Sequence, residues 1–85
     1  MSAAAIAQRL AELLSFYSGA PEATLGATSS PQNTPGWDSA ANLNFIAAIE
    51  EEFSVTIPTR DVVKLRTLGD FADYLADRDA PRVAQ

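Results

Sequence analysis

A chain of 85 residues with 47% hydrophobic and 20% charged side chains has material for one modest core, which excludes a two-domain protein and an intrinsically disordered one. It contains no histidine and no cysteine, so Ser-His and Cys-His nucleophile pairs, ordinary zinc sites and disulfides are all ruled out, and a catalytic role becomes remote. Eleven acidic against six basic side chains leave a net charge of −5, which repels nucleic-acid phosphates and anionic membrane surfaces and favours a basic partner protein.

Ile6, Leu10, Leu13, Leu14 and Tyr17 recur at helical steps and predict a first helix from about Ser2 to Tyr17, with Ser2 as its cap. Between Ser18 and Trp37 the composition changes to Gly, Pro, Ser and Thr, with Leu25 as the one strongly apolar residue before Trp37. A connection this long in a small domain is either a disordered linker or a segment that packs Leu25 and Trp37 over the helices. A second helix is expected over 39–53, capped by Asp38 or Ser39, with Phe45, Ile46, Ile49 and Phe53 on the core arc. A second arc of that helix carries Ala40, Leu43, Asn44 and Ala47, with Glu50 and Glu51 nearby, and the core alone does not account for it.

Residues 54–58 read as extended because Pro58 disfavours helix at Ile57. Thr59 opens a short helix over 59–64, and Thr67 with Asp70 forms a variant capping box for a last helix over 67–77. In that helix Leu68, Phe71, Ala72 and Leu75 form the inward stripe, and residues 78–85 read as a polar tail. The expected fold is all-α: three principal helices plus one short helix, with the longest connection between the first and second. The longest apolar runs are far below membrane-span length and the amino terminus has no basic flank, so a soluble, cytoplasmic, monomeric protein is expected.

The segment Gly36-Trp37-Asp38-Ser39 holds the strongest functional signal. It would place the Ser39 hydroxyl at a helix amino terminus, beside a carboxylate and near backbone N–H groups that favour an anion. Taken alone, Asp-Ser before a helix is more often a cap than a modification site. The run from Trp37 through Glu50-Glu51-Glu52-Phe53, continued by Val55-Thr56-Ile57-Pro58, Val62, Leu65, Thr67 and the helix to Leu75, resembles the acyl carrier protein family.

That resemblance implies a four-helix bundle in which Ser39 accepts a 4′-phosphopantetheine arm from coenzyme A and Asp38 helps engage the phosphopantetheinyl transferase and its metal ion. The chain would then be a carrier without catalytic residues or a metal site of its own, presenting an acyl thioester to enzymes with basic docking surfaces. The partner-facing positions implied are Ala40, Leu43, Asn44, Ala47, Glu50, Glu51 and Ile57; the path that shelters an acyl chain is implied at Leu43, Ala47, Ile57, Val62 and Leu65, where core packing is the plainer reading. Ala40 stands where the family usually has Leu, and Ala41 and Asn44 where it has acids, which points away from the general fatty acid pathway toward a specialised lipid, polyketide or secondary-metabolite carrier. Two alternatives are an aminoacyl carrier and a non-covalent helical adaptor of the same fold.

Overall fold

Four helices account for most of the chain in the computed structural model, which describes residues 2–83. They are α1 (Ala3–Ser18), α2 (Ser39–Phe53), α3 (Thr59–Val62) and α4 (Leu68–Val83), with a 3-10 turn at Glu22–Thr24 and no strand among the described residues. The expected small helical bundle is what forms.

Each long helix has a chemical reason to start and stop. Ser2, in extended backbone, accepts the Ala5 N–H on its hydroxyl at 3.1 Å, and Gly19 closes α1 in the left-handed region at φ +80°. Asp38 caps α2 by accepting the Ala41 N–H at 2.9 Å, and Ser54 ends that helix at φ 55°. At α4 the capping box is reciprocal: Asp70 N–H donates to Thr67 Oγ1 at 3.1 Å, while Asp70 Oδ2 accepts the N–H groups of Thr67 and Arg66 at 3.1 and 2.9 Å.

The apolar stripes meet as their periodicity requires. Ile6, Leu10 and Leu14 of α1, Phe45, Ile46 and Ile49 of α2, and Leu68, Phe71, Ala72 and Leu75 of α4 are buried in one core, with Leu13, Tyr17, Leu25 and Phe53 packed half-buried around it. Each fully buried side chain of this size contributes about 1.5–3 kcal/mol. Helix α1 is central, packing against both α2 and α4. Arg9, midway along α1, pairs with Glu52 in the last turn of α2 and ties the two helices together.

The segment between α1 and α2 is an ordered strap. The carbonyls of Ser29 and Ala27 accept the N–H groups of Leu68 and Gly69 at 2.9 Å each, so the strap satisfies two of the donors that α4 leaves free at its amino end. Gly69 permits that approach, because a Cβ there would lie 2.9 Å from the Ala27 carbonyl oxygen. Gly36 is required twice over, by its φ of +90° and by the Ser18 carbonyl, which a Cβ would overlap. Leu25 and Trp37 do pack inward, and Trp37 is buried.

Helices α3 and α4 differ in extent from the sequence expectation. Helix α3 ends at Val62 rather than residue 64, because the Lys64 and Leu65 N–H groups reach only three residues back, to Asp61 and Val62 at 3.0 Å. Helix α4 starts at Leu68, with Thr67 as its cap, and continues to Val83 where a polar tail from residue 78 was expected. Arg78 anchors the helix one turn beyond Tyr74: its guanidinium lies 3.9 Å from the Tyr74 ring centroid and 3.3 Å from Asp61 Oδ2, and Tyr74 donates its hydroxyl to the same carboxylate at 2.7 Å. Ala84 and Gln85, the end of the expected tail, lie outside the described residues.

Candidate functional site

Ser39 is the first residue of α2 and is exposed, at the point where the strap turns into the helix. The cap comes from Asp38, so the Ser39 hydroxyl is not consumed by the helix terminus. At the start of α2 the Ala41 N–H is taken by the Asp38 side chain, and the Asn42 N–H makes the first helical bond to the Asp38 carbonyl, at 2.9 Å each. The N–H groups of Ser39 and Ala40 find no intramolecular acceptor among the described residues, and they sit at the positive end of the helix dipole. An anionic group esterified to Ser39 would meet those two donors on exposed backbone, with Ala40 offering no bulk against it.

Trp37 holds this turn from below. Its N–H donates to the Thr34 carbonyl at 3.1 Å, and its indole Nε1 donates to Asn42 Oδ1 at 3.0 Å. The ring meets Phe45 edge-on at 5.9 Å and Phe71 at 6.4 Å, and Phe45 and Phe71 lie 5.2 Å apart. Trp37 and Ala41, two residues to either side of Ser39, are buried in the core while Ser39 itself is exposed. The need of a buried indole for a partner was readable in the sequence; Asn42 as that partner was not, although it lies one helical turn past the cap.

The implied partner-facing residues divide by exposure. Ala40, Asn44, Ala47 and Glu51 are exposed, Leu43 is 70% exposed, and Ile57 is buried in the core. Ser39, Leu43, Ala47 and Glu51, spaced by four, form one line along the outer face of α2. Glu50 is half-buried, and its Oε2 accepts the Ile57 N–H at 2.8 Å, bracing the turn between α2 and α3. Glu52 pairs with Arg9, which holds its carboxyl below the usual carboxylate range, so Glu51 is the member of the triplet with no protein partner among the described residues. Of the implied acyl path, Leu43 and Ala47 are exposed, Ile57 is buried, and Val62 and Leu65 are half-buried against the core.

Charge pairing away from Ser39 escaped the sequence reading. The Arg9 bridge to Glu52 and the Asp61, Tyr74 and Arg78 cluster join residues distant in sequence, and only the spacing of Tyr74 and Arg78 along one helix could have hinted at either. Among the described residues there is no cluster of acidic side chains that could hold a metal ion, and no helix is long and apolar enough to cross a membrane.

Comparison with known proteins agrees with this geometry. The phosphopantetheine attachment site family matches residues 4–75. An acyl carrier protein of Acidothermus cellulolyticus is 34% identical over 68 residues, covering 80% of this chain and 81% of the relative. A second, from Kineococcus radiotolerans, is 36% identical over 67 residues, covering 79% of this chain and 83% of its own. With a helical bundle, a family match across most of its length and relatives of nearly its own size, the chain belongs to the acyl carrier proteins, carriers with a phosphopantetheine attachment domain rather than catalysts.

Proposed function

We propose that Ser39 is the attachment residue for 4′-phosphopantetheine, and that the protein shuttles an acyl intermediate between separate enzymes of a specialised pathway. The observation that carries this reading is an exposed serine at the first position of a helix whose cap is already made by its neighbour Asp38. The arm, when bound, supplies the thiol that holds an acyl group as a thioester, chemistry that a chain without cysteine lacks. The residues of this chain do the rest. The free N–H groups of Ser39 and Ala40 favour the phosphodiester, exposed Asp38 keeps the turn in place through Oδ1 and would engage the transferase and its metal ion, and Trp37 with Asn42 holds the turn outward.

Partner enzymes with basic surfaces would read the line of Leu43, Ala47 and Glu51, with Ala40 and Asn44 beside it. The exposed carboxylate of Glu51 would contribute on-rate and orientation, screened at high salt. Ala40 and Asn44 make this face less apolar and less acidic than the family habit, which supports a dedicated set of partners.

The test is intact mass after incubation with coenzyme A, magnesium and a broad-specificity phosphopantetheinyl transferase, with Ser39→Ala alongside. One added arm on the parent and none on the variant is expected, with the variant's stability within about 0.5 kcal/mol of the parent, because Ser39 is exposed and the cap is made by Asp38. No addition with several transferases would turn the reading to a non-covalent adaptor of the same fold; modification that persists in Ser39→Ala would place the arm elsewhere.

A further inference from the structure

Resting on Ser39 as the attachment residue, we propose that Trp37 closes the interior of the bundle to the cargo, so that an acyl group carried on Ser39 stays on the outer face of α2 and the cargo class is short or polar acyl groups rather than long saturated chains. Trp37 lies two residues before Ser39 and is only 3% exposed, so its ring occupies the space beneath the turn that carries the serine. The space beside it is filled as well: Phe45 and Phe71 are fully buried and all three rings are in mutual contact at 5.2–6.4 Å. The indole is pinned by its hydrogen bond to Asn42, which satisfies its polar atom inside the core and removes any electrostatic reason to swing out.

Outside, the helix offers a track. Leu43 and Ala47 follow Ser39 on the same exposed line, one turn and two turns on. An apolar groove of about 470 Å³ does exist, lined by Ala3, Ala7, Ala11, Leu25, Leu68 and Ala72 among others, but none of its walls comes from α2. A single exposed leucine and an alanine shelter little of a long chain, and each methylene left in water forfeits the gain of burial. A group of a few carbons, or one carrying carbonyl or hydroxyl oxygens, has little to lose there.

The experiment loads the full-length protein from acetyl-, butyryl-, octanoyl- and dodecanoyl-coenzyme A with the same transferase, verifies each product by intact mass, and records the melting temperature and Trp37 fluorescence. Trp37 is the only tryptophan, so its emission reports directly on the proposed plug. A melting temperature constant within about 2 °C across the series, with unchanged emission, is expected for the parent. In Trp37→Ala the chain can enter the vacated space, and the melting temperature should rise by several degrees from acetyl to dodecanoyl, as a cavity filled by an apolar ligand is stabilised. Stepwise stabilisation of the parent with chain length, or a shift of its Trp37 emission with the longer chains, would overturn the proposal. The parent series decides even where Trp37→Ala does not fold, and Trp37→Phe then serves as the opened variant. A mass spectrum with no addition would instead remove the attachment reading on which the proposal rests, which the melting data alone could not do.

Discussion

Two aspartates, Asp38 and Asp70, perform related tasks with different consequences. Asp38 uses one carboxylate oxygen to cap α2, while Asp70 is part of a closed box in which its Oδ2 accepts two backbone N–H groups and its own N–H is accepted by Thr67. Those backbone donors, from Arg66 first and Thr67 second, hold the Asp70 carboxyl below the ordinary aspartate value. A carboxyl whose folded value is lowered stabilises the fold fully above its unfolded value of about 3.9 and loses that contribution as pH falls through the folded value. Asp70→Ala should therefore cost about 1 kcal/mol at pH 7, the usual scale for a cap. The difference between parent and variant should stay constant down to about pH 5 and shrink below about pH 4 as the parent's carboxyl protonates. Urea unfolding across this range checks the sign, and a gap that widens on acidification would contradict the assignment.

The second helix separates structural from recognition roles turn by turn. Its inward residues are Ala41, Phe45, Ile46 and Ile49, and its outward line is Ser39, Leu43, Ala47 and Glu51. Glu50 and Glu51, adjacent in sequence, fall on opposite sides of this division. Removing Glu50 leaves the Ile57 N–H without its acceptor, and Glu50→Ala should destabilise by roughly 1–2 kcal/mol. Glu51→Ala should leave stability within about 0.5 kcal/mol while lowering kcat/KM with a basic partner enzyme at low salt. Denaturation midpoints and turnover measured on both variants separate the two, and equal stabilities would refute the bracing role of Glu50. Elements governed by local period were legible in the sequence: the stripes of α1, α2 and α4 fall where they were expected, and Asp38-Ser39 stands at the helix start that the apolar pattern indicates. What was not legible depends on contacts across space. α4 is held as far as Arg78 by the contacts of Tyr74 and Arg78 with Asp61, and the Glu triplet divides because Arg9 and Ile57 N–H claim two of its three members.

At the scale of the molecule, stability and function depend on the same aromatic cluster. An 85-residue domain is stable by about 4–13 kcal/mol in all, at the usual 0.05–0.15 kcal/mol per residue. Replacing a buried phenylalanine by alanine removes about 3–5 kcal/mol through lost burial and the cavity left behind. Phe71 is fully buried, belongs to α4, and touches both Phe45 of α2 and Trp37 of the strap, so it joins three segments that are not adjacent in sequence. Phe71→Ala should thus consume about a quarter or more of the total stability, whereas Phe16→Ala, at a ring 80% exposed, should change it by less than about 0.5 kcal/mol. The variants also predict different spectra. In Phe71→Ala the Trp37 indole loses one of its two ring neighbours, and its emission should shift to the red while the protein is still folded, before the denaturant transition begins. In Phe16→Ala the emission should not move, because the Phe16 ring packs on Tyr17 and the surroundings of Trp37 are unchanged. Loss of stability in Phe71→Ala with Trp37 emission unaltered would mean that the cluster does not act as one unit, and the closed interior argued from it would have to rest on Phe45 alone.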